Sequence, residues 1–426
     1  MTKNSFLFIL AIFSYTLFSQ KAPNLVIKNI NVIPITKDTI LLNKSVAISN
    51  GKITAITDFK KIKTNSSTTI IDGTGKYLLP GLTEMHIHLP NPNRMDTFLT
   101  TIVSAGVTHI RAMYSDYPIL EQRNIISKIK ISPKVYYPYL LTNQTNIHSP
   151  AQFDSLYLEI KKNKYDFVKM YSMQHRADFN DTIFDRLMIS AKKNNVIVCG
   201  HFPNKIRLSK VLSSGFKSIE HLAGYSSLNP EYIEKAMEIT KQYNVYNCPT
   251  LDWDVMAYDL PYPNDYHNRL IIYNAPKRYI DSWDKSLEGV VKRNGSEKIL
   301  KDKQEYMPTF EKKLRILKRL NETNNLLILG GESENLFQLE GFNMHEEMVI
   351  WSNAGISNFD ILKASIFNPA KFFDEDKIRG TIEIGKEANL IMLDENPILE
   401  IKNIKTINCT IINGNIFYKT DLLKKI

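Results

Sequence analysis

Cysteine is scarce in this chain of 426 residues: there are three, Cys199, Cys248 and Cys409, odd in number and far apart. That excludes a disulfide framework, so stability has to come from a buried core. The segments around Cys199 and Cys248 are apolar and strand-like, which favours buried free thiols over ligands or nucleophiles. Low-complexity tracts and repeats of solenoid length are also missing, and Gly and Pro, at 17 and 18, are ordinary. With 43% hydrophobic residues the chain is not disordered, and its length suits one large domain with a small accessory one. Basic residues exceed acidic ones, 54 to 44, but they are scattered along helical stretches and form no cluster interleaved with aromatics. No nucleic-acid partner is expected from such a pattern.

Long hydrophobic runs are absent as well, except at the start. Lys3 is followed by an apolar run from Phe6 to Phe18 and then by Ser19 and Gln20. This order predicts a signal peptide over residues 1–20, export to the periplasm or the extracellular space, and no stable membrane insertion once the signal is removed. The run is short for a membrane span, although an uncleaved anchor stays open. No cysteine follows it to carry a lipid.

Short alternating runs at 25–35, 45–48 and 52–56 are broken by Asn50-Gly51 and Asp72-Gly73, which are hairpin signals. A matching set returns at 389–393 and 406–418, with Asn413-Gly414 as a turn. The two ends are expected to pair into a small β-sandwich domain made of residues 21–80 and 374–426. Between them lie eight strand candidates, at 83–89, 107–113, 134–141, 166–171, 196–201, 216–221, 245–251 and 326–331. Helical periodicity fills most gaps, for example at 184–193, 231–243 and 310–320. Such alternation predicts an α/β fold, a (β/α)8 TIM-type barrel over residues 81–373. The longest gap, 252–307, would lie as a loop on the face where barrels carry their chemistry. Trp253, Tyr258, Tyr262 and Trp283 there are either lid contacts to a ligand or aromatics that only hold the insertion together.

The sharpest motif is Pro80-Gly81-Leu82-Thr83-Glu84-Met85-His86-Ile87-His88, a turn followed by a strand ending in two histidines spaced by two. Side chains alternate along a strand, so both imidazoles point the same way and offer two nitrogen donors to zinc or a similar divalent ion. Of only nine histidines, four fall at the ends of predicted strands: His86, His88, His201 and His221. Lys169 ends the fourth strand and would enter the same mouth. An ammonium there would repel cations; carboxylated by carbon dioxide, it becomes an anion able to bridge two. The plain alternative is a lysine capping a strand. Tyr171 and His148, after the fourth and third strands, are candidates to hydrogen-bond a substrate, with surface or structural roles as the alternative. His345 lies beyond the eighth strand and is not expected to be a ligand.

With these motifs the chain resembles the amidohydrolase superfamily, and within it the imidazolonepropionase-like amidohydrolases, from about Asn24 to the C-terminus. Besides the paired histidines, the likeness rests on Cys199-Gly200-His201-Phe202-Pro203, Ile219-Glu220-His221-Leu222, Cys248-Pro249-Thr250-Leu251 and Gly341-Phe342-Asn343-Met344-His345-Glu346-Glu347. It continues through Asn368-Pro369-Ala370 and the stretch from Gly380-Thr381-Ile382 to Gly385-Lys386. The resemblance implies a site for two divalent ions, zinc first among them, with His86 and His88 on one, His201 and His221 on the other, and carboxylated Lys169 between. It implies a metal-activated hydroxide as nucleophile. Three positions depart from the family pattern: Glu84 stands for an Asp, Asn389 for an Asp, and Glu332 for the eighth-strand Asp that handles the proton. The added methylene of Glu332 can displace the base by roughly an ångström.

The expected reaction is hydrolysis of a C–N bond in an amide, cyclic amide or dipeptide-like small molecule, with Glu332 protonating the leaving nitrogen. An esterase or lactonase on the same site, and a catalytically silent metal-binding member, stay open. A homo-oligomer is compatible with the sequence but not specified by it.

Overall fold

A computed structural model describes residues 22–145, 147, 149–260, 266–333 and 335–426. The predicted signal, His148 and Tyr262 lie outside the described residues. Seventeen strands are described, in three sheets. The first five are β1 Leu25–Val32, β2 Leu41–Ser49, β3 Lys52–Thr57, β4 Thr69–Asp72 and β5 Tyr77–Pro80. Then come β6 Leu82–His88, β7 Val107–Tyr114, β8 Lys134–Tyr136, β9 Pro138–Leu141, β10 Phe167–Met170, β11 Val198–Gly200, β12 Ser218–Glu220, β13 Tyr246–Cys248 and β14 Leu326–Leu327. The last three are β15 Leu390–Leu393, β16 Ile407–Ile412 and β17 Asn415–Tyr418.

Both chain ends build one eight-stranded sheet, ordered β17-β16-β15-β5-β1-β2-β3 with β4 also on β1. Asn50-Gly51 and Asn413-Gly414 turn the chain as the sequence suggests, with all four residues at positive φ. Asp72-Gly73 does not make a hairpin. Strands β4 and β5 on either side of it run parallel to successive parts of β1, so that turn steps the chain along one neighbour. A separate apolar cluster from both ends, including Ile27, Val46, Leu78, Leu390 and Ile411, seals this sheet.

The middle of the chain forms two parallel sheets, β6-β7-β8 and β14-β13-β12-β11-β10-β9. Strands β8 and β9 are separated by Tyr137 alone, whose N–H is taken by Asp166 Oδ2 at 2.7 Å. That side chain explains why the expected strand at 134–141 is interrupted. At the other margin, Met85 N donates to Leu329 O at 3.1 Å and Glu332 N to His86 O at 2.9 Å. One apolar cluster draws Met85, Met113, Tyr136, Phe167, Cys199, Tyr246 and Cys248 from strands of both sheets, with Ile328 from just past β14. Helices cover the outside in the amphipathic manner: in Asp181–Lys193, capped by Asn180, the buried residues include Phe184, Leu187, Met188 and Ala191.

Two further expectations are corrected. The seventh strand stops at Cys248, because Thr250 takes a left-handed conformation and the helix Leu251–Ala257 follows. The segment expected as a loop, 252–307, is largely helical, with helices Lys277–Asn294 and Ser296–Glu322 meeting at Gly295. Its helical period was hard to read because so little of it faces a core: Trp283 is the only buried residue of the first helix. Of the aromatics named there, Tyr258 stacks on Tyr306 at 3.6 Å and Trp283 lies 5.4 Å from Phe337, contacts that pack the insertion. No helix among the described residues is long and apolar enough to cross a membrane.

Candidate metal centre

Alternation along β6 puts His86 and His88 on one side, with ring centroids 5.7 Å apart. His86 lies 4.9 Å from His221, and His221 5.1 Å from His201, centroid to centroid. Three strand ends are shaped by unusual backbone: His221, Thr250 and Glu332 have φ of 62°, 50° and 49°, a region that non-glycine residues enter at a cost. Glu332 is buried, and its carboxylate lies 3.5 Å from His86 Nε2, 3.8 Å from His88 Nε2 and 3.3 Å from His221 Nδ1. The ligand atoms of His86, His88 and Glu332 fall within 4.8 Å of one another. Gly330 permits this approach, because a Cβ there would stand 2.7 Å from both Cβ and N of His86.

The imidazoles are set up as neutral donors. Burial, reinforced by the nearby Lys169, holds His86 well below its ordinary value, and the same causes bring His201 down to about 3. Burial and the His86 ring hold His221 well below as well. Each has one nitrogen committed: His86 Nδ1 to Glu220 Oε2 at 2.9 Å, His201 Nδ1 to the Tyr171 carbonyl at 2.7 Å, His221 Nδ1 to Thr250 Oγ1 at 2.6 Å. Such outer contacts fix which nitrogen remains for a cation.

Lys169 is fully buried on β10, its Nζ 5.2 Å from the Tyr171 ring centroid and without a hydrogen-bond partner. Burial lowers it to about 8, against the opposing pull of Glu332 and Glu220. A buried ammonium with no hydrogen-bond partner is costly, so this environment makes the lysine easier to deprotonate than one in water. Neutral imidazoles, a carboxylate and such a lysine are a donor set that fits one or more divalent ions.

The structure therefore brings His86, His88, Lys169, His201, His221 and Glu332 together. Tyr171 stands beside them, its ring 5.3 Å from that of His201 and stacked on Tyr114 at 4.7 Å. His345 points elsewhere, its Nε2 3.1 Å from the Ala105 carbonyl. All three cysteines are buried and free. Sequence reasoning missed Arg111, Glu220 and Thr250 as supports. A signal was present for Arg111, a charged residue set among Ile110, Ala112 and Met113 in β7. Glu84 does not enter the site; it accepts hydrogen bonds from His86 N at 2.8 Å and Gly331 N at 2.9 Å.

The profile of the Amidohydrolase family matches residues 77–417. The chain belongs to that family. Among curated relatives, a dihydroorotase from Listeria monocytogenes serotype 4b (strain CLIP80459) is 31% identical over 127 residues, 27% of this chain and 29% of the relative. The chain thus matches less than a third of that relative's length. Among solved structures, a Xaa-Pro dipeptidase with methionine bound in its active site superposes with a TM-score of 0.68 at 17% identity, over 92% of this chain and 99% of the other. Molinate hydrolase gives a TM-score of 0.68 at 14% identity, over 94% and 95%. At these identities the likeness is one of fold.

Proposed function

We propose that the protein is a metal-dependent hydrolase that cleaves a C–N bond in a small amide, cyclic amide or dipeptide. The observation that carries this reading is the Glu332 carboxylate, placed 3.3 to 3.8 Å from nitrogens of His86, His88 and His221. His86, His88, His201, His221 and Lys169 would hold divalent ions, two zinc ions in our reading, with Lys169 as the carboxylated bridge. Bound there, such ions polarise the scissile carbonyl and acidify water. Glu332 accepts the proton of the attacking water and returns it to the leaving nitrogen. Tyr171 lines the approach and orients the substrate; His148 is proposed to do the same.

The two parallel sheets are read as one (β/α)8 barrel, residues 81–373. Support comes from the bonds between β6 and residues 329–332, from the single residue between β8 and β9, and from the shared inner cluster. Residues 21–80 and 374–426 are read as the accessory domain. The order of residues 1–20 supports export to the periplasm or the extracellular space. Intact Met1 on soluble cytoplasmic protein, found by mass spectrometry, would overturn that part.

The test of function is the metal content of the purified protein together with turnover of a panel of dipeptides, N-acyl amino acids and lactones. Metal-dependent cleavage of an amide is expected. Bound metal with no turnover on any substrate would point instead to a binding protein, and turnover of lactones alone to an esterase.

A further inference from the structure

We propose that Arg111 and Glu220 are positioning residues that hold His86 with Nε2 facing Glu332 and keep a cation from settling among the buried ligand atoms of His86, Glu220 and Cys248. The inference rests on the metal-site reading above and adds the reason for one ligand's orientation.

Arg111 starts on β7 and its guanidinium reaches β12. Its Nε donates to Met85 O at 2.6 Å, one residue before His86. Nη1 donates to Ser218 Oγ at 2.9 Å, and Nη2 to both oxygens of Glu220, each at 2.9 Å. Ser218 Oγ donates to Glu220 Oε1 at 2.7 Å. Oε1 is thus taken by Ser218 and Arg111, while Oε2 faces His86 Nδ1 at 2.9 Å. A neutral imidazole carries one ring proton, and a carboxylate can only accept. The proton therefore belongs on Nδ1, and the Nε2 lone pair is the one presented to the site. Arg111, Glu220 and His86 are all fully buried, so water cannot substitute for any of these contacts.

The same arrangement carries a hazard. Ligand atoms of His86, Glu220 and Cys248 also lie within 4.8 Å of one another, and a nitrogen, an oxygen and a thiol in that grouping would suit zinc or a softer cation. Arg111 neutralises Glu220, whose two oxygens its Nη2 holds at 2.9 Å, and so stands against one edge of this grouping. A divalent ion there would face a buried guanidinium in a medium of low dielectric. An ion pair as buried as Arg111 and Glu220 is poor evidence of a stabilising role, because apolar side chains commonly serve as well. Its use here is orientation and exclusion.

The test compares wild-type protein, stripped of metal, with Glu220→Gln and Arg111→Met. Zinc affinity is measured by competition with a chromophoric chelator, melting temperature is measured without metal, and cobalt(II) spectra are recorded. In Glu220→Gln, the metal-free melting temperature is expected to fall because Arg111 loses its buried partner, and zinc affinity measured at a temperature where the variant stays folded is expected to fall roughly 10- to 100-fold. In Arg111→Met, the opposing charge beside His86, Glu220 and Cys248 is gone and a cation can bind among them. Cobalt should then give a thiolate charge-transfer band that wild type lacks and that further replacement of Cys248 by Ala removes. Wild-type zinc affinity in Glu220→Gln, or no thiolate band in folded Arg111→Met, would overturn the proposal while leaving the metal-site reading intact. Wild type that takes up no zinc would overturn both. Should either variant fail to fold, nitrogen-15 histidine spectra of the wild type decide: a proton on Nδ1 of His86 is expected, and one on Nε2 contradicts the proposal.

Discussion

The carboxylate of Glu84 accepts the backbone N–H of Gly331, with its oxygens at 2.9 and 3.0 Å, and so joins β6 to the segment that delivers Glu332 one residue later. The same side chain accepts His86 N at 2.8 Å. One residue thereby sets the relative position of a metal-ligand candidate and the proposed base. Replacing Glu84 with Ala would leave two buried N–H groups without partners, at about 1–3 kcal/mol each. Denaturant titration should show a loss of that order, and turnover should fall by about a hundredfold as Glu332 shifts. Unchanged stability together with unchanged turnover would contradict this role.

Lys169 is expected to matter through charge rather than packing. In Lys169→Ala the histidines alone cannot offset the two divalent ions proposed for this site, so metal content should drop, and a short-chain carboxylic acid should restore part of it. Elemental analysis of the variant with and without the acid checks this. Unchanged metal stoichiometry and activity would show that the bridge is misassigned.

Much of this site was legible in the sequence because its ligands come from strand ends, where a period of two and a small stock of histidines leave few arrangements. His86 and His88 could be paired from spacing alone, and His201 and His221 from their place after apolar runs. Glu220 and Arg111 were harder, since their importance lies in contacts across strands 109 residues apart in the chain. Sequence spacing does not report such contacts. The helical insertion was misread as a loop for the opposite reason: long helices with few buried residues leave a weak apolar stripe. Thr250 ended the seventh strand early through its own left-handed backbone, which the neighbouring residue types do not announce.

The helix Asn343–Asn353 predicts a pH dependence of stability. Burial pushes Glu347 up to about 8, outweighing the hydrogen bonds it accepts from Trp351 Nε1 and Asp252 N, and pushes the adjacent Glu346 up to about 7. In the unfolded chain both would release their protons near the ordinary glutamate value of 4.5. The folded state therefore binds more protons between about 4.5 and 8, and stability falls as pH rises through that window, levelling above it. Melting temperatures recorded across this range should decline, and Glu347→Gln should flatten the decline. A variant with the wild-type slope would show that Glu347 is not the group responsible.

The most direct measurement of the central claim is turnover and metal content of Glu332→Gln and Glu332→Asp, on whichever substrate the panel identifies. The wild-type carboxylate reaches three histidines from a left-handed backbone position, so the site is fitted to the longer side chain. Glu332→Asp should retain metal and lose about a hundredfold in rate, as small displacements of a reacting group do. Glu332→Gln should keep most of its metal and lose turnover, because an amide cannot accept and return the proton that C–N cleavage requires. Full turnover in metal-loaded Glu332→Gln would contradict the account.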